Sequence, residues 1–405
     1  MNILYINHYA GSLDMGMEFR PFYLAREWQK MGHKVRIIAA DYSHLRKVNP
    51  VVKKDFDIQT IEGIEYQWIK TSKYQGNGMA RAKTMMEFCT KLHLHARTIV
   101  EEFHPNLVIA SSTYPLDTYP AQRIAHIGKC KYYHEVHDMW PSTLYEVGGM
   151  SRHNPFVVLM QIAENSAYSN CDKCISLLPF AESYMKKHGL KDGCFLNIQN
   201  GIVESDWENY ETIPDEHRKL FEALQDKFVV GYFGGHAISN ALDKCLDVAK
   251  NIKEKGESDI HFVFVGDGVE KQRLVERAEK ESISNVHFLP PVSKRAVPDL
   301  LHYFDCSYMS GLDSPLYRFG LCLNKMYDSM MAGIPIVCAF NAPDTLVRTC
   351  NCGYQCDPSD EEGVVQSILN IKNMSMEDRK QLGDNGKKAI LNSFTFRRLA
   401  EEFLG

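Results

Sequence analysis

Asn324-Lys-Met-Tyr-Asp-Ser-Met-Met-Ala-Gly-Ile-Pro-Ile-Val337 reads as a short helix that runs directly into a buried strand. Lys325, Asp328 and Met331 recur at i, i+3 and i+6, Gly333 supplies the stop, and 335–340 is an apolar run of strand length. The N-terminus of such a helix carries free N–H groups and a partial positive charge. Asn324 and Lys325 add donors there, so the stretch suits a phosphate, and Asp328, one turn on, suits a hydroxyl. A diphosphate joined to a sugar presents both. An ordinary capped helix with a solvated Lys–Asp pair accounts for the same residues equally well.

Outward from this stretch, strand and helix patterns alternate in both directions. Strands are expected at 3–7, 34–40, 107–111, 131–136, 173–178 and 195–198, with a helix over 18–31 and helical periodicity between the later strands. The alternation breaks in a polar, acidic stretch, 202–226, read as an interdomain connection, and restarts with strands at 228–233, 260–265, 286–289, 306–309 and 335–340. The expected fold is α/β: two Rossmann-like doubly wound domains facing across a cleft. Their limits are 1–202 for the first, joined by a returning amphipathic C-terminal segment at 392–405, and 203–391 for the second.

A length of 405 residues accommodates two domains of ordinary size. With 44% apolar and 24% charged residues and a net charge of −5, the composition is that of a globular protein and argues against nucleic acid as a partner. No apolar run approaches bilayer-spanning length, and the chain enters a strand pattern directly after Met1-Asn2, so a cytoplasmic location is expected. A reducing compartment makes the twelve cysteines thiols rather than disulfides. Neither Cys171-x-x-Cys174 nor Cys350, Cys352 and Cys356 is completed to a zinc set, and no metal or other cofactor is expected.

Ligands of open α/β sheets lie at the carboxyl ends of strands, which selects the loops that carry chemistry. After the first strand come Gly11 and Gly16, where backbone can approach a ligand, and then Arg20, which suits an anion. After the fourth come His137 and Asp138, able to orient a hydroxyl or take a proton. On that strand His134 points to one face, and Glu135 and His137 to the other. In the second half Gly234, Gly235 and His236 offer backbone to a phosphate or sugar, and Asp267 reads as a cap first and a ligand contact second. Tyr317-Arg-Phe-Gly brings Phe319 and Gly320 to the opening helix, and Arg318 is expected to join Lys325 in clamping a diphosphate. Residues 44–97 hold ten Lys or Arg against five acids. That excess, including Arg81 and Lys83, suits an acidic membrane surface or a lipid diphosphate acceptor, with solvated helix faces as the alternative.

These landmarks together resemble the retaining glycosyltransferases of family 4, with the GT-B fold. The resemblance covers nearly the whole chain. It rests on Arg-Pro-Phe-Tyr-Leu-Ala-Arg-Glu-Trp-x-x-x-Gly-His-x-Val at 20–35, His137-Asp138, Ile-Gln-Asn-Gly-Ile at 198–202, Gly-Asp-Gly at 266–268, Val-x-Phe-Leu at 286–289 and Lys-x-x-Asp-x-Met-x-Ala-Gly-x-Pro-Ile-Val at 325–337. Met-Gly-Met-Glu-Phe-Arg-Pro-Phe-Tyr at 15–23, Asp-Met-Trp-Pro at 138–141 and Tyr-Arg-Phe-Gly-x-x-x-Asn-Lys at 317–325 are similar to the branch that builds O-antigen and capsule repeats, including N-acetylfucosamine transferases.

The resemblance implies metal-independent transfer of a sugar from a nucleotide diphosphate, most naturally UDP, to a lipid-linked or oligosaccharide acceptor with retained anomeric configuration. It implies Asp328 on the ribose, Asn324 and Lys325 on the phosphates, and His137 on the sugar or acceptor. Two departures stand out. The family's first Glu, eight residues before Asp328, is replaced by Gly320, and its Arg and Lys after the first strand of the second domain are replaced by the segment Gly234-Gly-His-Ala-Ile-Ser-Asn. Rival readings are a nucleotide-sugar epimerase of the same architecture and an inactive glycan-binding homologue.

Overall fold

Apolar runs alternating with amphipathic segments build two sheets, as seen in a computed structural model that describes residues 1–76 and 78–405. The first sheet comprises β1 (Asn2–Ile6), β2 (Lys34–Ala40), β3 (Asp57–Ile61), β4 (Ile64–Ile69), β5 (Leu107–Ala110), β6 (Lys131–Val136), β7 (Lys173–Ser176) and β8 (Phe195–Asn197). Its order is β3-β4-β2-β1-β5-β6-β7-β8, parallel except for the β3–β4 pair. β1, β2, β5 and β6 are buried almost throughout because helices cover both faces. The second sheet comprises β9 (Phe228–Phe233), β10 (Ile260–Val265), β11 (Val286–Leu289), β12 (Cys306–Ser310), β13 (Ile336–Ala339) and β14 (Gly353–Cys356), in the all-parallel order β11-β10-β9-β12-β13-β14.

The strands absent from the sequence reading are the edge strands β3 and β14 and the interior strand β4, which pairs with β3 and β2. β3 alternates half-buried and exposed positions and closes on β4 through Glu62-Gly63, both at positive φ, so polar residues mask it. β14 is half-buried and starts at a glycine.

The chain divides into two units, residues 1–199 with 396–405, and 200–395. The C-terminal helix Phe396–Leu404 packs on helix Arg20–Lys30, where Trp28 Nε1 donates to Ala400 O at 2.9 Å and the Trp28 and Phe403 rings lie 5.2 Å apart. The unit boundaries fall a few residues from 202/203 and 391/392, since Ile202 bridges to Thr395 inside the second unit.

The stretch 202–226 is not a connection. It folds into helices Glu204–Glu208 and Asp215–Ala223, and Ile213, Phe221 and Leu224 enter the second unit's core. His217 Nε2 reaches Pro290 O at 2.9 Å, and Asp299 accepts from the Ile213 N–H at 2.8 Å. The acids that made the stretch look like a linker lie mainly on the outer face of this layer. All twelve cysteines are thiols, most of them buried.

Candidate functional site

In the first unit, the sheet order runs outward in both directions from the β1–β5 pair, so the loops that follow these strands diverge and leave a crevice. Asn7 locks the two exits together, donating to Ser111 O at 2.7 Å and Ser111 Oγ at 3.3 Å. Period-two alternation at the end of β6 puts Glu135 and His137 on the same face, and they meet there. Arg20 Nε donates to Glu135 Oε1 at 2.8 Å, and the rest of its guanidinium donates to Gln199 O at 2.7 Å and Ile198 O at 2.8 Å. Glu135 Oε2 accepts from Ser111 Oγ at 2.6 Å and from the Tyr5 hydroxyl.

This fixes the histidine's tautomer. With its proton committed to the carboxylate, Ser111 Oγ must accept from His137 Nε2, 2.9 Å away, so Nε2 carries hydrogen. Nδ1 is left facing Glu18 Oε1 at 3.8 Å. A hydroxyl oxygen about 2.8 Å from each would bridge that gap, accepting from a protonated Nδ1 and donating to Glu18.

Burial opposes the His137 charge, but the hydrogen bond and charge of Glu135, helped by Glu18, outweigh it and raise the imidazole's pKa. Burial likewise opposes Glu135, yet Arg20, His137 and Ser111 hold its carboxyl far below the usual range. Glu18 is raised by burial, against the pull of His137. Below them, burial pushes fully enclosed Asp117 up to about 7, although the Ser112 N–H donates to it at 2.8 Å.

The sequence expectations separate here. His137 joins the cluster, and Asp138 is exposed at its rim. Arg20, expected to meet an acceptor or anion, is buried, and its donors are used on Glu135 and two carbonyls. Arg81 turns toward the β1 loop, donating to Tyr9 OH at 3.1 Å with its guanidinium 5.1 Å from the Tyr9 ring. Lys83 is exposed beside Glu87 at 3.5 Å. Gly16 sits at φ 85° in a loop closed by a Ser12–Gly16 bridge. The basic stretch is thinner than its count, because Arg46 is buried against the carbonyls of Ala10 and Ala40. Glu18 and Ser111 carried no sequence signal of their own.

In the second unit the divergence point is β9–β12, and helix Asn324–Ala332 begins beside it. No side chain caps that helix, and Gly333 ends it at φ 72°. Lys325 Nζ lies 3.0 Å from Tyr232 OH, 3.3 Å from Asn240 Oδ1 and 4.3 Å from the Tyr232 ring centre. Burial pushes its ammonium down to about 7. The Lys325 head also abuts Gly234, where a Cβ would lie 3.7 Å from Nζ. Gly234, Gly235 and His236 thus share its neighbourhood. A Cβ on Gly266 would lie 1.9 Å from Gly234 O, so the exits of β9 and β10 pack backbone on backbone.

His236 is fully buried with both ring nitrogens unpaired, and burial lowers it to about 4. Asp267 caps its own turn, accepting from the Gly268 N–H at 2.8 Å. Asn324 Oδ1 accepts from Asn200 at 2.8 Å. Asp328 is buried and ion-paired with Lys294, whose Nζ lies 2.7 and 2.6 Å from its two oxygens, a partner the sequence did not suggest.

Arg318 does not join Lys325. It stacks 4.2 Å from the ring centre of Phe319, donates to Pro315 O at 2.5 Å, and lines a separate pocket of about 560 Å³ with Asp313, Ser314 and Asn341. Phe319 is buried, and Gly320 holds φ 98°, ψ −177°, a conformation open to glycine. Among the described residues, no three His, Cys, Asp or Glu side chains are grouped to hold a metal ion, and no helix is long and apolar enough to cross a membrane.

The family description Glycosyltransferase Family 4 matches residues 16–205, and Glycosyl transferases group 1 matches 214–389. Similar solved structures include sucrose-phosphate synthase from Thermosynechococcus elongatus, at 15% identity and TM-score 0.74, covering 99% of this chain and 97% of that one. Anabaena HepE in complex with UDP matches at 14% identity and TM-score 0.70, over 100% and 98% of the two chains. WaaG, a glycosyltransferase involved in lipopolysaccharide biosynthesis, matches at 15% identity and TM-score 0.66, over 100% and 98%. No curated protein sequence matches. At these identities the structural likenesses establish the fold, which is GT-B. With one unit matched by each family description, the chain belongs to the family 4 glycosyltransferases of the GT-B fold.

Proposed function

We propose that this protein transfers a sugar from a UDP-sugar held by its second unit to a lipid-linked or oligosaccharide acceptor held by its first, in assembly of a surface polysaccharide such as O-antigen or capsule. Transfer retains the anomeric configuration and needs no metal. The observation that carries this reading is Lys325, a half-buried ammonium facing neutral groups at an uncapped helix N-terminus. A site with this surplus of positive charge favours an anion. As the bond from the anomeric carbon to the phosphate oxygen breaks, its electron pair passes to the diphosphate. Lys325 and the helix N–H groups stabilise the charge that develops there. The acceptor oxygen bonds to the same face of the sugar, and its proton passes to the departing diphosphate oxygen.

Asp328, held by Lys294, takes the ribose hydroxyls, and Asn324 assists at the phosphates. His137, positioned by Glu135 and Ser111, takes an acceptor hydroxyl. UDP is favoured over other nucleotides by the UDP complex of the structurally similar HepE. The acceptor's lipid end suits helix Met79–Phe103, whose Met79 is 90% exposed and Leu94 77% exposed, with Lys83 exposed on the same helix.

The test is nucleotide release across a panel of UDP- and GDP-sugars with and without extracted lipid-linked saccharides. At least one UDP-sugar should be consumed, and the Lys325→Ala protein should consume it at least tenfold more slowly. Release of a new UDP-sugar without an acceptor would identify an epimerase instead, and inertness toward every donor would remove the proposal.

A further inference from the structure

A second cavity lies at the far end of the helix that carries Lys325. Its volume is about 300 Å³, the lower end of the range for small-molecule sites, and Met331 and Ala332 form its floor. Six residues of helix separate Met331 from Lys325, about 9 Å of rise, so this cavity is distinct from the proposed donor site. Its walls come from three other helices and the segment after Glu208.

Two aromatic side chains, half-buried Trp207 and exposed Tyr210, stand among charged groups: Glu204 and Glu208 on one side, Lys387 and His302 on others. Trp207 packs against two core clusters, which fixes its position. Tyr210 is fixed by an edge contact with His302, ring centres 5.7 Å apart. The glutamates and Lys387 make no ion pair with one another, although both signs line the same small space.

This combination selects a ligand class. A free cation would meet Lys387, and a free anion would meet two glutamates. A neutral polyol satisfies both, donating hydroxyl protons to the carboxylates and accepting from the ammonium. The aromatic faces add apolar contact with the C–H faces of a ring. We propose that the cavity is a saccharide-binding site that holds one pyranose unit of a neutral glycan, separate from the site of transfer.

Saturation-transfer NMR on the full chain tests this, with methyl α-D-glucopyranoside, methyl β-D-galactopyranoside and N-acetylglucosamine as probes at millimolar concentration. At least one sugar should receive saturation from the wild-type protein. The signal should fall severalfold in Tyr210→Ala and Glu208→Ala, both at exposed positions and both checked for wild-type melting, and should persist in Lys325→Ala. Spermine and inorganic phosphate should leave the signal in place. The proposal is overturned if no sugar receives saturation, if the surface variants bind like wild type, or if spermine or phosphate displaces the sugar. Because no donor is present, this outcome is independent of whether the protein transfers sugar.

Discussion

Replacing Lys325 with Met should make the protein more stable and far less active. The ammonium lies among a tyrosine hydroxyl, an asparagine carbonyl and an aromatic ring, with no acid near it, and burial alone lowers it from 10.5 to about 7. Holding a lysine there costs on the order of 4 kcal/mol at neutral pH if nothing screens it. The residue is only half-buried, and solvent reduces that to roughly 1–2 kcal/mol. Methionine fills the same volume without charge, so the second unit should melt about 2–8 °C higher.

The sign fixes the pH window. The unfolded chain binds the proton more tightly, so this penalty is full below pH 7 and fades as pH rises toward 10.5. The advantage of Met over Lys should therefore shrink across that range. A bound diphosphate reverses the balance by stabilising the ammonium. kcat/KM for the donor should fall above pH 7 in wild type, and the limb should move to higher pH in kcat. Loss of the charge should lower kcat roughly 10²- to 10³-fold, the scale of one charge-stabilising donor. Calorimetry and initial rates from pH 6 to 10 read both quantities. A Met variant that is less stable, or that keeps wild-type turnover, would refute the reasoning.

Glu135→Gln strands the Arg20 guanidinium in the interior, and thermal or denaturant unfolding should show a loss of about 3–5 kcal/mol. Glu18→Gln, at the half-exposed rim, should change stability little while lowering the pH at which His137 titrates, read from its ring NMR signals. Gly320→Glu, which restores the family residue, should lose about 1–3 kcal/mol without raising turnover, because the backbone there suits only glycine. Liposomes containing acidic lipid should retain the protein better than neutral ones, and Leu94→Asp should reduce that retention; equal retention on both would end the membrane reading.

The pattern of apolar residues by itself located most strands of the two sheets, though not β3, β4 or β14. β9 and β10 lie where their apolar runs predicted, because strands covered by helices on both faces need nearly continuous hydrophobicity whatever surrounds them. Gly333, the helix after Leu323 and the common face of Glu135 and His137 were legible for the same local reason. What lay beyond reach were pairings between distant residues. Arg20 meets Glu135 across more than a hundred positions, Lys294 rather than Arg318 becomes the partner in the helix Asn324–Ala332 neighbourhood, and acids at 203–226 turn outward from packed helices instead of marking a linker. A charge in sequence has a sign but no partner, and only the tertiary structure decides whether it is neutralised in the interior or left for a ligand.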